Sequence, residues 1–201
     1  MKCTLIDYGT GNLQSVQNAL EHLGHQVYRT NKAADIDKND VLIFPGQGAF
    51  GPAMYQLEKM KIIETLSDYI NSKKPFIGIC LGFQLLFEKS KESESRPGLS
   101  CFKGSFEKFV DPSLAVPHMG WNTINATNTN TILDQFNNER FYFVHSYYLP
   151  ENNEKNTAKT SYGVPFISAM ASKSQLMTQF HPEKSGNIGL ELLNQYFKSL
   201  K

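Results

Sequence analysis

Four short apolar runs, Cys3–Asp7, Val27–Arg29, Val41–Phe44 and Phe76–Ile79, alternate with helix-like patterns through the first part of the chain. Alternation of this kind demands parallel strand pairing, because each crossover must carry the chain back across the sheet before the next strand begins. Between the runs, Leu13, Val16, Leu20 and Leu23 recur at three- and four-residue spacing. That spacing predicts an amphipathic helix over 13–23, entered from a glycine-rich turn at 8–12 and stopped by Gly24. Residues 57–70 repeat the helical pattern. The second half differs. Residues 101–180 read as strands between polar turns, with 141–144 and 175–180 the clearest, and 188–200 closes as an amphipathic helix. Two stretches, 89–98 and 122–130, read as exposed loops.

The expected architecture is therefore α/β: a flavodoxin-like, open, mostly parallel sheet with helices on both faces and an antiparallel extension in the C-terminal half. A chain of 201 residues suits one compact domain over 1–201. A net charge of +1 makes no electrostatic case for nucleic acid or a membrane surface. The apolar runs are too short to span a bilayer. Asp7 follows closely on Lys2, which leaves no space for the apolar stretch of a secretory leader. The three cysteines, Cys3, Cys80 and Cys101, show no paired spacing. Neither a disulfide framework nor a zinc site is expected, and the reducing cytoplasm is the natural compartment.

The chemistry concentrates at Gly78-Ile79-Cys80-Leu81-Gly82, where an apolar strand runs into a helix. A nucleophile on a sharp strand-to-helix turn is held exposed, and flanking glycines remove the Cβ atoms that would clash there. The N–H groups of the following helix favour the thiolate. An inert core cysteine between incidental glycines is the competing reading. His181-Pro182-Glu183 shifts the balance, since a cysteine nucleophile needs a base and the base needs a group that orients it. Pro182 biases His181 toward extended geometry, and positions two apart on an extended segment share a face. Glu183 is thus expected beside the imidazole.

These residues carry a resemblance. Gly78-Ile-Cys-Leu-Gly-Phe-Gln84 and Gln179-Phe-His-Pro-Glu-Lys-Ser185 resemble the two active-site motifs of the class I, triad-type glutamine amidotransferases. Further stretches, 7–12, 44–51, 117–122 and 142–148, resemble one branch of that class in particular. Members of that branch hand ammonia to a (β/α)8-barrel cyclase in histidine biosynthesis, as one half of a heterodimer. The resemblance runs from residue 7 to residue 185 and implies glutamine as substrate, with no metal and no organic cofactor.

The resemblance also implies roles. Cys80, His181 and Glu183 would form the triad. Gln47, Gly48 and Leu81 would supply the oxyanion loop and its N–H donors. Gln84, Glu92, His145, Ser146 and Tyr147, with Gly48, would line the glutamine pocket. Asn12, Gln14, Met119, Trp121, Tyr142 and Lys184 would border the partner. One position departs from the pattern: Gln47 stands where the family usually carries an aliphatic residue, most often valine. The backbone donor survives such a change. Three other readings stay open at this point. They are a paralogous subunit feeding a sugar-modifying synthase for surface polysaccharide, a triad glutaminase of pyridoxal phosphate synthesis, and a catalytically silent flavodoxin-like binding subunit. The 117–122 motif argues against the second, and retention of all three triad residues against the third.

Overall fold

A computed structural model describes residues 1–9, 13–126, 130–151 and 156–201. The parallel half comprises β1 (Lys2–Ile6), α1 (Leu13–His22), β2 (Gln26–Thr30), β3 (Val41–Gly46), α2 (Phe50–Lys59), α3 (Ile63–Asn71), β4 (Phe76–Cys80) and the single-turn α4 (Leu81–Gln84). Then come β5 (Phe87–Ser90), β6 (Phe102–Lys108), β7 (His118–Thr123), β8 (Asn125–Ala126), β9 (Arg140–His145) and β10 (Tyr147–Pro150). The chain finishes with β11 (Thr157–Tyr162), β12 (Val164–Ala171), β13 (Gln175–Thr178) and α5 (Gly186–Ser199).

The main sheet runs β2-β1-β3-β4-β13-β12-β10-β6-β5, with β11 and β8 attached beside β12. From β2 to β13 every pairing is parallel, in the 2-1-3-4-5 order of a doubly wound sheet. Beyond β13 the pairings of β12, β10 and β6 turn antiparallel, as expected for the C-terminal half. A separate antiparallel ribbon, β7–β9, stands against the sheet. Because β3 and β4 are covered on both faces, every residue in them is buried. Their side chains alternate between two cores. Val41, Ile43, Ile77 and Ile79 join α1 and α5 on one face, while Leu42, Phe44 and Phe76 join α2 and α3 on the other.

Three local expectations need correction. The single helix over 57–70 is two helices, because Lys61 takes φ +55 and a left-handed residue breaks the α ladder. The loop over 89–98 begins later, since β5 runs to Ser90 with Phe87 and Ser90 buried. The stretch 122–130 holds the end of β7 and all of β8, with Ile124 buried between them; residues 127–129 of it lie outside the described residues. Among the described residues no helix is long and apolar enough to cross a membrane.

Candidate active site

In a doubly wound sheet, ligands bind beyond the carboxyl ends of the parallel strands. Three neighbouring strands end here on the residues of interest: β3 at Gly46, β4 at Cys80, and β13 just before His181. Cys80 has φ +52 and ψ −109, a strained conformation for a residue with a side chain. The close approach of β3 makes the turn depend on glycine. A Cβ on Gly82 would stand 1.8 Å from the Phe44 carbonyl oxygen, so no other residue fits there. The turn thus presents Cys80 at the head of the one-turn helix α4.

His181 arrives from the next strand over. Its N–H donates to the Tyr142 carbonyl at 2.9 Å, and Ser185 Oγ donates to the His181 carbonyl at 2.6 Å while accepting from the Tyr142 N–H. The His181 backbone is therefore tied to β9 from both sides. His181 itself is extended, but Pro182–Lys184 form a 3-10 turn rather than the continuing extended segment expected from the sequence. Proline suits the first position of such a turn because its missing N–H is not needed there. The turn folds Glu183 back so that Oε1 accepts from His181 Nδ1 at 2.7 Å, with both side chains buried.

That bond fixes the tautomer and aims Nε2 toward Cys80. Nε2 is buried and makes no well-formed hydrogen bond. A looser approach to sulfur is common in a site without substrate. Burial works to lower the His181 pKa, but the Cys80 charge, bonding to Cys80 and the Glu183 carboxylate outweigh it and lift the value to about 10.

Cys80 and His181 open into a cavity of about 390 Å³. Gln47, Gly48, Leu81, Gln84, Glu92, His145, Ser146 and Tyr147 all line it, so every residue expected in the pocket or oxyanion loop is gathered there. The cavity is of a size that encloses a small molecule. Gly48 has φ +105, which only glycine adopts without strain, and it lies in the loop facing the Cys80 turn. Glu92 also braces the scaffold, because its Oε2 accepts the Phe50 N–H at 2.8 Å at the start of α2. Burial raises its pKa and that bond lowers it, with burial prevailing.

His145 lines the cavity but spends both ring nitrogens inside the protein. Nδ1 lies 2.7 Å from the Tyr147 carbonyl, which can only accept, so Nδ1 carries the proton. Nε2 then accepts from His118 Nδ1 at 3.0 Å, and His118 Nε2 accepts from the Asn122 amide at 3.2 Å. Burial holds His118 down to about 4 and His145 to about 3. Sequence reasoning missed this chain, which joins residues 27 apart across the β7–β9 ribbon. His118 Cα faces His145 Cα in the ladder, a register that no local pattern announces.

The residues expected at a partner surface divide. Met119 and Trp121 are 62% and 47% exposed on the outer side of β7. Tyr142 and Lys184 line the mouth of the cavity, and Trp121 packs edge-on to Tyr142. Gln14 is tied down on the α1 surface, bonded to Asn18 and Arg29. Asn12 lies outside the described residues.

The chain also matches known proteins. The family model "Glutamine amidotransferase class-I" matches residues 4–199. The chain is 42% identical over 197 residues to the imidazole glycerol phosphate synthase subunit HisH of Methanothermobacter thermautotrophicus, covering 98% of each chain. It is 44% identical over 207 residues to the HisH subunit of Prochlorococcus marinus, covering 100% of this chain and 99% of that one. It is also 43% identical over 197 residues to the chloroplastic imidazole glycerol phosphate synthase hisHF of Arabidopsis thaliana, where it spans 33% of the longer protein. Among solved structures, PurLQS from Thermotoga maritima superposes with a TM-score of 0.75 at 16% identity, covering 100% of this chain and 99% of that chain.

Proposed function

From the premise that this chain belongs to the class I glutamine amidotransferases, we propose that it hydrolyses glutamine with Cys80, His181 and Glu183, as the glutaminase subunit of an imidazole glycerol phosphate synthase in histidine biosynthesis. The observation that carries the reading is the Glu183–His181 bond, set behind Cys80 at the wall of an amino-acid-sized cavity. A His181 ring whose pKa is lifted to about 10 readily accepts the thiol proton of Cys80, which frees the sulfur to attack. The sulfur attacks the side-chain amide carbon of glutamine. N–H groups of the Gln47–Gly48 loop and of Leu81 stabilise the oxyanion. His181 gives its proton to the departing ammonia, leaving a γ-glutamyl thioester. The neutral ring then takes a proton from water, and the hydroxide releases glutamate.

Gln84, Glu92, Ser146 and Tyr147 hold the amino acid, with the Glu92 carboxylate as the counter-charge for the substrate ammonium. At neutral pH free ammonia is largely protonated and has no lone pair to attack with, so a partner must receive it directly. The (β/α)8-barrel cyclase is that partner. The hisHF proteins of Arabidopsis thaliana and Schizosaccharomyces pombe, in which the matching segment makes up 33% and 38% of one longer chain, support the pairing. Met119, Trp121, Tyr142 and Lys184 border the docking face, and the 201 residues act as one domain. These relatives weigh toward the histidine-pathway synthase over a polysaccharide-modifying one. The free cysteines and the biosynthetic role fit a cytoplasmic enzyme.

The Cys80→Ala variant tests the assignment. Glutamine hydrolysis should vanish, while a cyclase bound to the variant should still turn over with added ammonium salt. Residual hydrolysis at the wild-type rate would remove Cys80 from the mechanism.

A further inference from the structure

Gln179 stands two residues before the base, wholly buried at the end of β13, and has no part in the triad. Its backbone N–H donates to the Ser168 carbonyl at 2.8 Å, which anchors it to β12. Its carboxamide bridges two residues of the nucleophile turn. Gln84 Nε2 donates to Gln179 Oε1 at 3.1 Å, and Gln179 Nε2 stands 3.7 Å from Cys80 Sγ. We propose that Gln179 is a catalytic residue that donates an amide N–H to the Cys80 thiolate, with Gln84 holding that amide in its donating orientation. The inference rests on Cys80 being the nucleophile.

The orientation of the amide follows from charge. Besides the His181 ring on one flank, the Val144 carbonyl oxygen lies 3.9 Å from the sulfur. A neutral thiol can donate its proton there, but a thiolate facing that oxygen is repelled by it. Once the proton has passed to His181, the sulfur needs a donor on another side. Gln179 can supply one only with its NH2 group turned inward, and Gln84 stabilises that choice by donating to the oxygen at the other end. A hydrogen bond to a charged acceptor in a buried site is stronger than one between neutral groups. The bond involves no proton transfer, so Gln179 acts in each turnover without being changed. It also gives Gln84 a role besides any contact with substrate.

The experiment is alkylation of the isolated chain by iodoacetamide across a range of pH, with modification of each cysteine followed by peptide mass spectrometry. Cys3 and Cys101 serve as internal references, because burial raises both thiols and makes them slow. In the wild type, Cys80 should react faster than Cys101 at neutral pH. In Gln179→Met, which keeps the length and loses the donor, the Cys80 profile should move up by about one pH unit. The glutaminase kcat of the complex should fall about tenfold, with KM within about twofold. Gln179→Glu should move the profile further in the same direction, since it places a carboxylate against the sulfur. If wild-type Cys80 reacts no faster than Cys101, the nucleophile assignment falls and the inference with it. If wild-type Cys80 is fast and Gln179→Met leaves its profile unmoved, the inference alone is overturned. Should Gln179→Met not fold, Gln84→Leu reads the same contact: an upward shift upholds the role of Gln179, and an unmoved profile overturns it.

Discussion

Two sets of buried histidines sit against the same cavity and are held in opposite states. His181 is pushed up to about 10, whereas His145 and His118 are pushed down to about 3 and about 4. Burial acts on all three in one direction, toward the neutral ring. What differs is the charge nearby. His181 has the Cys80 sulfur beyond Nε2 and then the Glu183 carboxylate on Nδ1, while His145 faces only the dipole of the Tyr147 carbonyl on its Nδ1. A carbonyl orients an imidazole without supplying the charge needed to keep a proton on its far nitrogen. The positive charge of His181 further lowers His145. One ring is thereby prepared to exchange protons, and the other pair is kept as neutral scaffolding for the 145–147 segment.

The contrast breaks most severely at Glu183. In Glu183→Gln the amide keeps the shape but removes the charge, and it can hold the ring in the wrong tautomer. The kcat for glutamine should drop by on the order of 10³-fold with KM little changed, by analogy with carboxylate-to-amide changes in other triads. A loss below tenfold would mean that burial and the carboxylate do not compete as described. Next in size is His145→Phe, which leaves the Tyr147 carbonyl and the His118 Nδ1–H without partners in a buried site. Stability in urea should fall by about 2–4 kcal/mol. Retention of wild-type stability would show the histidine chain to be incidental.

The last effect is read per pH unit, in the dependence of stability on pH. The folded-state pKa values of His118 and His145 lie below the ordinary value of 6.5, so their stabilising contribution is present above pH 6.5. It is lost as pH falls from 6.5 toward 4, by at most about 1.4 kcal/mol per pH unit for each ring. For His181 the sign is opposite. Its contribution is present below pH 6.5 and is lost as pH rises through about 10. Urea midpoints between about pH 4.5 and 6.5 should therefore rise with pH in the wild type, with a shallower slope in His145→Phe.

Much of this site was legible before folding. The glycine-flanked Cys80 and the His181-Pro182-Glu183 run each depend on contacts within a few residues, and such contacts are written in local spacing. Gly82 illustrates the limit of that legibility. Its presence marks the turn, but the reason it cannot be replaced is the Phe44 carbonyl on a strand 38 positions earlier. The expectation of an extended segment at 181–183 found the right partner by the wrong path, because Pro182 favours a 3-10 turn as readily as a strand. His145 was expected to line the glutamine pocket and does line the cavity, while its ring nitrogens bond to His118 and Tyr147, since β7 and β9 pair in a register that brings the rings together.

From sequence alone came the parallel half of the sheet, the antiparallel half after it, and the proposed nucleophile, base and orienting carboxylate. These follow from apolar periodicity, glycine placement and the chemistry of neighbouring side chains, all of which act over short stretches of chain. The tertiary structure decided which histidine is charged, that Glu92 also bonds the start of α2, and that the Gln179 amide meets the sulfur of Cys80. Those outcomes depend on burial and on angstrom-scale distances between strand ends. Such quantities exist only once β4, β13 and the β7–β9 ribbon have been brought side by side.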